Sequence, residues 1–147
     1  MIRLAACLIV ILVWCDSQVF GQGSYADVTA EDVVALKLNH YFTSDKKSRE
    51  ADFLWAFTRD DFVIKKGKGA IPVELSAKLL QKGEATDEIK GKWRVKQGKL
   101  ILSAIPQREG SPKQEVALNI YRTAPTVIRI GEPQYVFEVT PSTPSRN

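Results

Sequence analysis

One histidine, one methionine and two cysteines stand among 147 residues, and these shortages exclude more chemistry than any motif supplies. Both cysteines, Cys7 and Cys15, lie within the first fifteen positions. From residue 22 onward the chain therefore offers no thiol nucleophile, no disulfide, no Cys/His zinc site and no multi-histidine copper or iron site. A Ser-His-Asp arrangement would have to use His40, and no G-x-S-x-G elbow is present. Neither G-x-x-x-x-G-K-[ST] nor G-x-G-x-x-G occurs. Gly67-Lys68-Gly69 is the nearest approach and reads as an ordinary loop. No N-x-[ST] glycosylation site is found. The sequence thus predicts no catalytic residue, no metal and no cofactor.

Long apolar runs are also lacking, with one exception. Leu4 to Trp14 (LAACLIVILVW) is eleven residues without charge, preceded by Arg3. A bilayer span needs about 20 apolar residues, whereas the apolar part of a secretory signal takes about 7–15. Val19-Phe20-Gly21 supplies small side chains at the positions signal peptidase reads. Residues 1–21 are therefore expected to be a signal peptide, the mature chain starting near Gln22, with Ser17 and Ala26 as alternative cut sites. The expected location is secreted or periplasmic. A lipid anchor on Cys15 is disfavoured because Trp14, just before it, is far larger than the small residue that processing requires. The segment holds one cation and one anion, so the net charge of +4 does not depend on it.

What is present is ordinary globular composition, 44% hydrophobic and 26% charged, which separates the chain from disordered and fibrous classes. The length suits a single domain. Residues 22–52 read as an N-terminal arm ending in a charged loop. Within it, residues 33–42 admit two readings. Thr29 caps a helix stapled by Val28 and Val33, or Val34, Leu36, Leu38, His40 and Phe42 line one face of a strand.

From residue 53 the pattern is β. Phe53 to Phe57 and Phe62 to Lys65 flank the four-residue turn Thr58–Asp61, a length that pairs Phe57 with Phe62 and Trp55 with Ile64. Ile71, Val73, Leu75, Ala77 and Leu79 alternate with Pro72, Glu74, Ser76, Lys78 and Leu80, which reads as a strand beginning at a tolerated proline. Ile89 to Lys96 is apolar or neutral on odd positions and cationic on even ones. A two-residue Gln97-Gly98 connection then pairs Val95 with Leu100, Trp93 with Leu102 and Gly91 with Ala104, and a one-residue slip would turn one apolar set to water. Val116, Leu118 and Ile120 follow, then Thr126 to Ile130. A four-residue turn pairs Ile130 with Tyr135 and Ile128 with Phe137. The predicted fold is all-β: an antiparallel meander of seven or eight strands forming a small closed or nearly closed barrel over residues 53–140, with residues 141–147 as a disordered tail.

The stretches Ile89 to Ile105, Thr123 to Ile130 and Gln134 to Glu138 together resemble the small lipocalin-like domains of secreted bacterial proteins. Gly91-x-Trp93 is similar to the lipocalin G-x-W, and Arg129 to the basic residue that packs over that tryptophan. In lipocalins the motif lies on the first strand; here it lies mid-chain. The resemblance implies a barrel fold and binding in preference to catalysis.

The candidate ligand-binding residues are Trp55, Trp93, Tyr135 and Arg129. The aromatics either line an apolar cavity or fill a core that no disulfide assists. Arg129 depends on register. A turn at Thr123–Pro125 pairs Ile120 with Ile128 and sends Arg129 outward, whereas a longer turn pairs it with Ile120 and faces it inside, where it would need a partner. The outward register agrees with the last hairpin and is preferred. Lys90, Lys92, Arg94 and Lys96 form a cationic stripe for an anionic envelope polymer, or a solvated face. Nucleic acid is disfavoured, since no exposed aromatics interleave the stripe. Asp60-Asp61 and Asp87-Glu88 read as turn chemistry and not as paired catalytic carboxylates. Two functions are thus expected: binding of a small apolar or amphipathic ligand by an exported, non-enzymatic domain, or a protein-interaction or inhibitor role through the cationic face.

Overall fold

A computed structural model describes residues 25–81, 85–106, 108–132 and 134–139. The expected signal segment and tail lie outside these residues. Nine strands form one antiparallel sheet: β1 (Leu36–Phe42), β2 (Ser48–Glu50), β3 (Phe53–Phe57), β4 (Asp61–Lys66), β5 (Glu88–Lys96), β6 (Lys99–Ala104), β7 (Gln114–Ala124), β8 (Val127–Ile130) and β9 (Tyr135–Val139). Their order is β2-β1-β9-β8-β7-β6-β5-β4-β3, an open half-barrel. Two short helices complete it, α1 (Ala30–Val34) and α2 (Val73–Leu80).

At three hairpins the registers read from alternation and turn length hold. Phe57 faces Phe62 and Trp55 faces Ile64. Val95 faces Leu100, Trp93 faces Leu102 and Gly91 faces Ala104. Ile130 faces Tyr135 and Ile128 faces Phe137. The Gln97-Gly98 turn has φ of 51° and 70°, the doubly left-handed connection whose twist suits a two-residue hairpin. Gly91 stands where a side chain cannot: a Cβ there would lie 2.1 Å from the Ser103 carbonyl oxygen and 2.7 Å from the Phe62 ring.

The apolar face of these strands is turned inward, so Trp55, Phe62, Ile64, Leu100, Leu102, Ile128 and Phe137 meet in one core. Burying each large side chain contributes about 1.5–3 kcal/mol, which is how a core without disulfides suffices.

Residues 71–80 correct the expectation of a strand. Residues 73–80 form α2, with Leu75 and Leu79 buried on it and Ile71 buried just before it. A spacing of four satisfies a helical face as well as the same side of a strand, so alternation could not separate the two. Ala77, Lys78, Leu79 and Leu80 favour helix, and Pro72 is tolerated where a helix begins. The helix packs against β6 and β7, and Lys78 Nζ donates to the Glu132 carbonyl at 2.6 Å.

The ambiguous arm resolves into both readings in sequence. Thr29 caps α1 with a reciprocal capping box through Asp32, and β1 follows at once, inserted between β2 and β9. Its expected single face is broken, however. A bulge between Leu38 and His40 shifts the register, so that Leu36, Leu38 and Tyr41 face β9 residues Val139, Phe137 and Tyr135. His40 and Phe42 are thereby turned away from the core, their own rings in contact at 5.5 Å. One extra residue reverses the facing of everything beyond it.

The barrel does not close. β2 pairs only with the last three residues of β1, His40 to Phe42, so the first half of β1 and the outer edge of β3 confront each other without a hydrogen-bonded ladder. The two edges are joined at one end by side chains, with the Tyr41 and Phe53 rings 5.6 Å apart.

Candidate functional site

Three of the four predicted ligand residues come together in the interior. Trp55 and Tyr135 meet edge to face at 5.3 Å, Trp55 and Phe57 stack at 5.8 Å, and Phe57 passes the contact to Trp93 at 5.8 Å. All are buried. Such pairs contribute about 0.5–1.5 kcal/mol each beyond their buried area. The two indoles differ in one respect. Trp93 Nε1 donates to the Thr58 carbonyl at 2.8 Å, whereas Trp55 Nε1 is buried without a partner among the described residues, an arrangement that costs about 1–3 kcal/mol. Burial pushes the Tyr135 phenol far above its ordinary range, so it remains a neutral hydroxyl.

Arg129 is separated from that cluster. The β7–β8 connection follows neither expected register: Ile120 faces Ile130, Tyr121 faces Arg129, and a bulge between Arg122 and Ala124 absorbs the difference. Ile128 and Ile130 are buried, so Arg129 points outward, as preferred. It does not pack over Trp93, contrary to what the resemblance implied. Its guanidinium lies 6.0 Å from the centroid of the Phe42 ring, on the outer surface to which the β1 bulge directs Phe42. Nη1 donates to Gln134 Oε1 at 2.5 Å, and Gln134 Nε2 donates to the Tyr121 hydroxyl. Nε is buried and has no partner among the described residues.

The cationic stripe is on the outside, but it is largely neutralised. Lys92 pairs with Asp61 at 2.6 Å, Lys90 with Glu88 at 2.7 Å, and Arg94 makes a bidentate contact with Glu115 at 2.8 and 3.1 Å. Hydrogen bonding and charge from Arg94 hold the Glu115 carboxyl below its ordinary value. Lys96 continues the row at an exposed position. Three of the four residues in the acidic pairs meet lysines in the same way: Asp61 with Lys92, Asp87 with Lys66 at 3.0 Å, and Glu88 with Lys65 at 3.1 Å as well as with Lys90.

Two grooves were not anticipated. One follows the open seam between β1 and β3, with a volume of about 740 Å³, and is lined by apolar Leu36, Leu38, Phe53, Leu54, Trp55 and Ala56. Its charged lining residues are Lys37, Lys68, Glu50 and Asp52, two cations against two anions. The signal for it was visible in Phe53–Phe57, which is apolar on both faces; Leu54 is 51% exposed. The other groove, of about 650 Å³, lies beside Phe42 and Arg129. Nothing local announced it, because it requires the β1 bulge. Among the described residues no group of three or more His, Cys, Asp or Glu could hold a metal, and no helix is long and apolar enough to cross a membrane.

No protein-family model matches the chain, and a comparison with curated proteins finds no match. Among solved structures, the chain is similar to a lipocalin-like protein from Bacteroides uniformis ATCC 8492, at 16% identity over 74% of this chain and 99% of that one, with a TM-score of 0.47. It is also similar to an uncharacterized protein from Bacteroides eggerthii DSM 20697, at 15% identity over 74% of this chain and 100% of that one, with a TM-score of 0.46.

Proposed function

We propose that the protein is an exported, non-enzymatic binding protein that takes a small neutral, largely apolar molecule along the open seam of its half-barrel. The observation that carries this reading is the failure of β1 and β3 to pair, which leaves a groove of about 740 Å³ floored by apolar side chains. That is the size of a small-molecule site. Its charged lining sums to zero, so nothing in it selects an ion. The aromatic core behind the groove acts as a rigid wall. The cationic outer face is a weaker basis for function, since Lys90, Lys92 and Arg94 already hold carboxylates. Export rests on residues 1–21, and terminal sequencing of the exported protein should begin near Gln22.

The test uses the neutral fluorophore N-phenyl-1-naphthylamine. The protein should enhance its emission saturably, and Leu54→Glu or Ala56→Trp should weaken that binding about tenfold, by charging or filling the groove. Leu54 is exposed, so its replacement leaves the core intact. Unchanged binding by both variants would overturn the assignment to the seam.

A further inference from the structure

The groove beside Phe42 shares no lining residue with the seam, and its chemistry is different. We propose that it binds a small organic carboxylate, whose apolar body lies against Phe42 and whose carboxylate is met by Arg129 and Lys46.

Arg129 carries the argument. Two arginines of the described residues are partly buried, Arg122 and Arg129. Arg122 is neutralised by Asp32 at 2.8 Å. Arg129 meets no carboxylate among the described residues; of its N–H groups only one, on Nη1, finds an acceptor, Gln134 Oε1. The tie from Gln134 onward to the Tyr121 hydroxyl fixes that acceptor, and with it the plane of the guanidinium. A guanidinium held in place with unused donors is suited to a planar oxyanion.

Lys46 adds the second cation. It has φ of 62° in a turn closed by Lys46 N–H to the Thr43 carbonyl at 2.8 Å and by Thr43 N–H to the Lys47 carbonyl at 2.9 Å, so the backbone that carries it is held. Lys47, by contrast, is engaged with Asp45 at 3.4 Å. Glu132 also lines the groove. Two cations against one carboxylate leave one unit of positive charge, which matches a monoanion and not a phosphate dianion. Phe42 supplies the apolar wall, and charge with an apolar wall is what an amphipathic acid requires.

Calorimetric titration with 4-phenylbutyrate, with its neutral amide 4-phenylbutanamide and with inorganic phosphate tests the assignment. The carboxylate should bind saturably and the amide about tenfold more weakly, the loss expected when a charged hydrogen-bonding partner is removed. Arg129→Gln and Lys46→Asn should each weaken the carboxylate while leaving N-phenyl-1-naphthylamine binding at the seam unchanged. Lys46 is exposed and asparagine tolerates its backbone conformation, so this variant reports even where Arg129→Gln loses stability. Equal affinity for acid and amide, or unchanged affinity in Lys46→Asn, would overturn the proposal. Phosphate competing as strongly as the acid would overturn the organic-carboxylate assignment. The seam reading is independent, because its neutral probe succeeds or fails separately.

Discussion

The Asp32 carboxylate ties α1 to β7: it meets the Arg122 guanidinium at 2.8 Å while accepting from the Thr29 backbone N–H at 2.9 Å. Helix cap and long-range clamp are the same side chain, so the end of the half-barrel at Val33 depends on it. Asp32→Asn should destabilise the fold by about 1–2 kcal/mol, the usual worth of a cap, measured as a shift in the urea midpoint. Unchanged stability would show that α1 is held by Val28 and Val33 alone.

The same contact has a pH signature. Burial pushes the Asp32 carboxyl up, but the Thr29 hydrogen bonds and Arg122 outweigh it, and the net position is below its ordinary value of 3.8. A carboxyl held lower in the folded state stabilises above its unfolded value and loses that contribution as pH falls through the folded one. Stability should therefore drop on acidification below about pH 4, and the drop should be smaller in Asp32→Asn. Parallel acid-unfolding curves for the two proteins would contradict this.

Gly91→Ala should cost about 2–3 kcal/mol or more, because the added carbon meets the Ser103 carbonyl and the Ala104 backbone, neither of which can swing aside. Gly98, where an added carbon meets nothing within 4 Å, is the control for steric effects, its own cost being that of a side chain at φ 70°. Chemical denaturation of both variants separates overlap from backbone strain.

The two buried indoles should respond differently to truncation. Trp93→Phe loses volume together with the bond to Thr58, whereas Trp55→Phe loses volume but also removes a donor that has no partner. Trp93→Phe is therefore expected to cost about 1 kcal/mol more than Trp55→Phe. Equal losses in thermal or urea unfolding would mean that the Trp55 N–H is satisfied in solution.

Replacing Lys90, Lys92 and Lys96 with glutamate takes the net charge from +4 to −2, so retention on an anionic matrix should fall. It should fall no further than when exposed Lys37, Lys68 and Lys113 are replaced instead, because two of the stripe's ammonium groups already face carboxylates at 2.7 and 2.6 Å. Elution at distinctly lower salt than that charge-matched control would restore the cationic face as a partner surface.

Local pattern was sufficient for the β3–β4 and β5–β6 hairpins and for the β8–β9 turn. A strand repeats every two residues, so once a turn length is chosen only one register puts both apolar sets on one side, and Trp93 opposite Leu102 follows from neighbouring residues alone. Other features depend on contacts between distant segments. Ile71, Leu75 and Leu79 satisfy strand and helix equally until α2 meets β6 and β7. The extra residue beside His40 becomes a bulge only when β1 pairs with β9, and that bulge delivers Phe42 to Arg129. The stripe from Lys90 to Lys96 looks uniformly cationic along the chain, yet its charge is met by Asp61 on the neighbouring β4 and by Glu115 on β7, one strand beyond β6. Periodicity and turn chemistry act between neighbours in the chain; bulges, ion pairs and an unclosed seam are set by which strands meet, and that choice belongs to the packed molecule.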